Sequence, residues 1–206
     1  MNPIVARPHI GINLHRNETA AATDERALFG FWAFMMSDLV IFALLFATFA
    51  VMRHGTADAP GPREIFSLGI TATETAFLLL SSFTFSLAGQ ATKLKQRSGA
   101  LAWMILTWLL GVLFVATEVY EFHDVFAKGG QPSASGFLSA WFTLVATHGL
   151  HVSIGLLWMA LTAYQVWRLG FREDIERRVL YLGVFWHLLD VVWIGIFSVV
   201  YLSNLA

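Results

Sequence analysis

Eight ionisable side chains lie in the apolar stretches of this sequence: Asp38, Glu74, Glu118, Glu121, His148, His151, His187 and Asp190. None of the eight is Lys or Arg. Placing an acid or an imidazole in hydrocarbon costs several kcal/mol unless it is paired, neutral or beside a wet cavity, so each one is a candidate for chemistry. Three chemistries are open to such a set. The groups can hydrogen-bond one another across helices and fix their register, they can carry protons, or they can ligate a metal or haem.

Spacing narrows the choice. Glu118 with Glu121, His148 with His151 and His187 with Asp190 are all i,i+3 pairs and share a helix face. At a rise of about 1.5 Å per residue, Asp38 falls in mid-membrane. His151 and His187 fall in the inner half, with His148 and Asp190 nearer the centre, and Glu74 and Glu118 in the outer half. Glu121 and His123 are expected at the outer interface, solvated by water. The remaining seven, Asp38, Glu74, Glu118, His148, His151, His187 and Asp190, form the predicted set for proton handling or for a structural polar network. Asp38 is the first choice for proton chemistry, because Met35, Met36, Ser37, Leu39 and Val40 around it supply no countercharge.

A metal centre would have to be built from His148, His151, His187, Asp190 and Glu118, because the chain has no cysteine. The Glu-x-x-His repeat of di-iron bundles is absent, and a bis-His haem would need His151 and His187 facing each other. The residues alone leave a stand-alone intramembrane redox enzyme as the alternative reading. No catalytic, cofactor-binding or metal-ligating residue is expected on this chain.

What positions these groups is a set of membrane spans. Of 206 residues, 57% are hydrophobic and 13% charged, against about 25% charged in ordinary soluble domains. No basic run suggests nucleic acid, and the net charge of -1 says little about partners. A bilayer core of about 30 Å needs about 20 apolar residues in a helix. Five runs qualify, at 27–52, 68–92, 99–122, 136–167 and 179–202, and predict an all-α, polytopic fold of five transmembrane helices in one domain, 27–206. Residues 1–26 read as a loose cytoplasmic tail without a cleaved signal peptide. The connectors carry turn chemistry: His54 through Pro60-Gly61-Pro62, Lys93 through Arg97, Lys128-Gly129-Gly130-Gln131-Pro132, and Arg168 through Arg178. The small pairs Ala43 with Ala47 and Ser82 with Ser86 would permit close helix approach.

Basic residues set the expected orientation. The tail and the second and fourth connectors hold ten, Arg7, Arg16, Arg26, Lys93, Lys95, Arg97, Arg168, Arg172, Arg177 and Arg178; the other side holds Arg53, Arg63 and Lys128. The N-terminus is therefore expected in the cytoplasm and the C-terminus outside. Tyr120, Tyr164, Tyr181, Tyr201 and Trp167 fall near span ends and are expected at the interfaces.

Four strings occur in order along the spans: Met36-Ser37-Asp38-Leu39-Val40-Ile41-Phe42, Ala116-Thr117-Glu118-Val119-Tyr120-Glu121-Phe122, Thr147-His148-Gly149-Leu150-His151-Val152 and Phe185-Trp186-His187-Leu188-Leu189-Asp190-Val191-Val192-Trp193. Together they resemble subunit III of the haem–copper terminal oxidases. The five-span form with Phe31-Trp32 and Ser37-Asp38 is most similar to that of the cytochrome bo-type ubiquinol oxidases. In longer members the first-span carboxylate is Glu, where this chain has Asp38. The resemblance implies a non-catalytic accessory subunit of a proton-pumping quinol:oxygen oxidoreductase. It implies haems, copper and quinol in partner subunits, subunit I as the main contact with subunits II and IV beside it, structural phospholipid, and a multi-pass place in the bacterial inner membrane.

Overall fold

A computed structural model describes residues 14–56 and 66–203, with side chains described from Arg26 onward. Arg7, His9, Pro60, Gly61, Pro62 and Arg63, and the side chains of His15 and Arg16, lie outside the described residues. The described chain is helical and contains no strand. Helix α1 is Leu14–Met52, α2 Leu68–Lys93, α3 Arg97–Ala127, α4 Gly136–Leu169 and α5 Glu173–Ile196, the last continuing as a π-helical stretch Phe197–Leu202. All five contain a segment long and apolar enough to cross a membrane, that of α1 being Arg26–Met52.

Helix ends depart from the spans predicted above where charged residues extend a helix beyond hydrocarbon. Helix α1 starts at Leu14, so helix replaces the expected loose tail from there to Arg26. Helix α3 continues past Phe122 to Ala127, and α5 begins at Glu173 instead of Val179. Glu173, Asp174 and Glu176 occupy the first turn of α5, where the unpaired N–H groups and helix dipole favour negative charge. The fourth connector therefore shrinks to three residues around Gly170, whose φ of 72° is the left-handed turn that stops α4.

Among the described residues, 14–39, the first part of α1, form one compact unit, and those from Val40 onward form a second. Within the second, α2 and α3 make the broadest helix pair, α4 packs on α3, and α5 packs on α4 and on α2. Lys95 pairs with Glu176, tying the α2–α3 turn to the first turn of α5, so these two connectors share one side. The Ser135 hydroxyl caps α4 by accepting from the Leu138 N–H (3.1 Å).

Side-chain shape sets the packing of the second unit. The Trp186 indole N–H donates to Ser81 Oγ at 3.0 Å, and its ring lies where Gly111 of α3 and Gly155 of α4 leave room. A Cβ on Gly111 would stand 2.9 Å from that ring and 2.7 Å from Leu156. Glycine thus admits one of the three fully buried tryptophans, as small residues do where membrane helices approach closely. The small pairs singled out in the sequence act otherwise. Ala43 and Ala47 are exposed, and Ser82 and Ser86 spend their hydroxyls on hydrogen bonds.

Candidate functional site

Helices α2, α3 and α5 build one polar cluster. Glu74 of α2 and Glu118 and Glu121 of α3 are buried, and their carboxyls are close enough to interact electrostatically. The phenol of Tyr201, from the π-helical end of α5, donates to Glu121 Oε2 at 2.7 Å; the Thr71 hydroxyl reaches the other oxygen at 3.5 Å. Neither oxygen of Glu74 has a hydrogen-bond partner among the described residues. Thr117 lies beside it, but the Thr117 hydroxyl donates to the Leu113 and Phe114 carbonyls. Glu118 fills the space left by Gly149 of α4, where a Cβ would stand 2.4 Å from Oε1.

Two expectations change here. Glu121, expected in interfacial water, is 2% exposed, because α3 runs on past it and Tyr201 closes over it. Tyr201 is wholly buried and also packs on Phe66 at 5.1 Å, whereas Tyr120 and Tyr164 are exposed as expected of interfacial rings. A π-helical stretch has more residues per turn than the 3.6 assumed in reading faces, so both Val200 and Tyr201 turn inward. His123 is exposed, as its position predicted.

The two α4 histidines are separate from that cluster. His148 is wholly buried; its Nε2 is 3.2 Å from the Leu189 carbonyl, and its ring lies 5.2 Å from Trp193 and 5.7 Å from Phe114. Its Nδ1 has no partner among the described residues, which makes Nε2–H donating to Leu189 the tautomer that leaves fewest polar atoms unpaired. His151 Nδ1 is 2.7 Å from the Thr147 carbonyl one turn back, and its ring is 5.2 Å from Phe42.

The third group joins α5 to α2. His187 Nδ1 is 2.7 Å from Ser82 Oγ and its Nε2 is 3.4 Å from Ser86 Oγ, with Phe85 edge-on at 6.3 Å. Asp190 lies one turn further on the same face, with Oδ1 buried and without a partner. In the first unit, Asp38 stands one turn from Met35 on α1 and is buried.

The seven predicted residues therefore do not converge. Glu74 and Glu118 join Glu121, which Tyr201 and Thr71 hold, while His148 and His151 share Phe42 but bond different carbonyls, and the His187–Asp190 pair lies against Ser82 and Phe85. His151 and His187 do not face each other as a haem pair would need, since one is set against Phe42 and the other against Phe85 and Ser82. Among the described residues, no three of His, Asp and Glu converge in a way that would hold a metal. What the geometry offers is hydrogen bonding that locks helices together and, in the carboxyl–phenol cluster, a place where protons can be shared.

Comparison with known proteins fits this arrangement. Residues 13–204 match the family described as cytochrome c oxidase subunit III. The chain is 46% identical over 190 residues to the cytochrome bo(3) ubiquinol oxidase subunit 3 of Pseudomonas aeruginosa, covering 92% of this chain and 91% of that one. To the quinol oxidase subunit 3 of Bacillus subtilis it is 37% identical, over 91% and 92% of the two chains. The subunit 3 of Buchnera aphidicola from Acyrthosiphon pisum shares 36% identity over 88% and 89%. Spans, polar strings and near-complete alignment agree, and the chain belongs to the cytochrome c oxidase subunit III family.

Proposed function

We propose that the chain is the accessory subunit III of a haem–copper quinol oxidase, a multi-pass protein of the bacterial cytoplasmic membrane. The observation that carries this is the extent of the likeness to a ubiquinol oxidase subunit 3: nine-tenths of each chain aligns, so the likeness is not confined to one span or motif. Quinol oxidation and oxygen reduction then belong to the partners, which hold the haems and copper. Subunit I is the main partner in this reading, with subunits II and IV alongside and phospholipid between them. The tail and the two basic connectors face the cytoplasm, as the ten-to-three distribution of Lys and Arg supports.

Within the complex the chain's own part is to hold helices in place and to keep protonatable groups away from lipid. The ring nitrogens bonded to Leu189, Thr147 and Ser82 support a structural role for the histidines. The Glu74–Glu118–Glu121–Tyr201 group and Asp38 are the proton-handling candidates. The alternative of a stand-alone redox enzyme has no such support, since its histidines bond separate carbonyl and hydroxyl partners.

Affinity purification of the tagged chain from its host in mild detergent tests the reading. A haem-bearing complex with quinol oxidase activity is expected, and haem or copper bound stoichiometrically to the chain by itself would sink it.

A further inference from the structure

The His187 group differs from the other polar groups in where it opens. Counting along α5 from Glu173 to Leu202, His187 is at mid-span, and Ser82 is near the middle of α2. At about 1.5 Å per residue this is the centre of the hydrocarbon. Yet His187 and Asp190 are only half-buried and Ser86 is exposed.

Exposed hydroxyls elsewhere on the spans need nothing from outside. Thr48, Thr73, Thr143, Ser153 and Ser198 each donate to the carbonyl four residues back on their own helix. A carboxylate has no hydrogen to give to a carbonyl, so Asp190 cannot satisfy itself in that way. Acyl chains offer no hydrogen bonds, and a carboxyl open to them costs several kcal/mol. Ser82 and Ser86 meet the two ring nitrogens of His187, and the one hydroxyl beside the Asp190 carboxyl, that of Ser82, is shared with His187; Oδ1 of Asp190 is buried without a partner, and the half-exposed remainder of the carboxyl faces hydrocarbon with no donor of its own.

We infer that the face of α2 and α5 carrying Ser82, Ser86, His187 and Asp190 is the docking surface for a transmembrane helix of a partner oxidase subunit. That helix presents a hydrogen-bond-donating side chain to the Asp190 carboxyl. The inference rests on the subunit reading above and specifies the side on which the partner packs. Polar contacts of this type are the glue of helix association in lipid.

The test uses the assembled complex with a photo-crosslinking amino acid at Ser86, compared with the same probe at the lipid-facing Leu157 of α4, which is 64% exposed. Light should join Ser86 to a partner oxidase subunit and Leu157 to lipid. Adducts at Ser86 with lipid, with solvent or with a second copy of this chain, in a complex that still copurifies, overturn the docking surface and leave the subunit reading intact. Failure of the chain to copurify with any haem-bearing subunit overturns both. Asp190→Leu should lower the chain retained in detergent-purified complex about tenfold, while Asp190→Asn, which can still accept, retains it. Equal retention of the two variants overturns the assignment of the donor to Asp190.

Discussion

Tyr201 donates its phenolic hydrogen to Glu121 Oε2 across 2.7 Å, so the end of α5 is fastened to α3 by a bond wholly shut off from solvent. Removing the hydroxyl with Tyr201→Phe leaves a buried carboxyl oxygen unpaired, at a cost of about 1–3 kcal/mol. The variant complex is expected to lose this chain at a lower temperature in detergent. Glu121→Gln, which keeps an acceptor for the phenol, should lose less. Thermal release of the subunit checks both, and an unshifted Tyr201→Phe would show that the bond contributes nothing.

Glycine substitutions grade the helix contacts. A methyl on Gly149 meets the Glu118 carboxyl at 2.4 Å, and one on Gly111 meets Leu156 at 2.7 Å and Trp186 at 2.9 Å, whereas one on Gly89 meets nothing within 4 Å. Gly149→Ala and Gly111→Ala should each destabilise by about 1–3 kcal/mol through overpacking. Gly89→Ala should be neutral or slightly stabilising, since alanine favours helix. The order of thermal stabilities of the three variants checks the packing.

The spans were legible from the residues because bilayer thickness fixes their length, and α2 and α4 begin at the predicted residues, 68 and 136. The partners of the buried groups were not. Depth along one helix placed Glu121 at the water interface, but its surroundings depend on Tyr201 arriving from another helix through a π-helical stretch that changes the face presented. Likewise Ser82 read as a small residue for close packing, and its hydroxyl is instead the partner of His187 on α5. A one-dimensional pattern reports which residues are out of place in lipid; which of them meet is decided by packing between helices.

Asp38 separates a proton role from a packing role. Asp38→Asn keeps the shape and a hydrogen-bonding side chain, so assembly of the complex should be intact. If the carboxyl carries protons, proton uptake or the number of turnovers before inactivation should fall. Stopped-flow proton uptake and prolonged oxygen-consumption traces measure the two, and unchanged traces would reduce Asp38 to a packing residue.

Orientation can be read directly because the chain has no cysteine to remove. Lys95, in the α2–α3 turn with its side chain 60% exposed, and Lys128, after α3 with its side chain 40% exposed, lie at opposite ends of α3. With the basic connectors in the cytoplasm, Lys128→Cys should react with an impermeant maleimide in intact spheroplasts. Lys95→Cys should react only after the membrane is opened. The Lys95–Glu176 pair puts the start of α5 on the side of Lys95, so a cysteine at Arg172 should follow Lys95. Labelling at Lys95 and Arg172 in intact cells, with Lys128 silent, would invert the topology while leaving every helix contact described above unchanged.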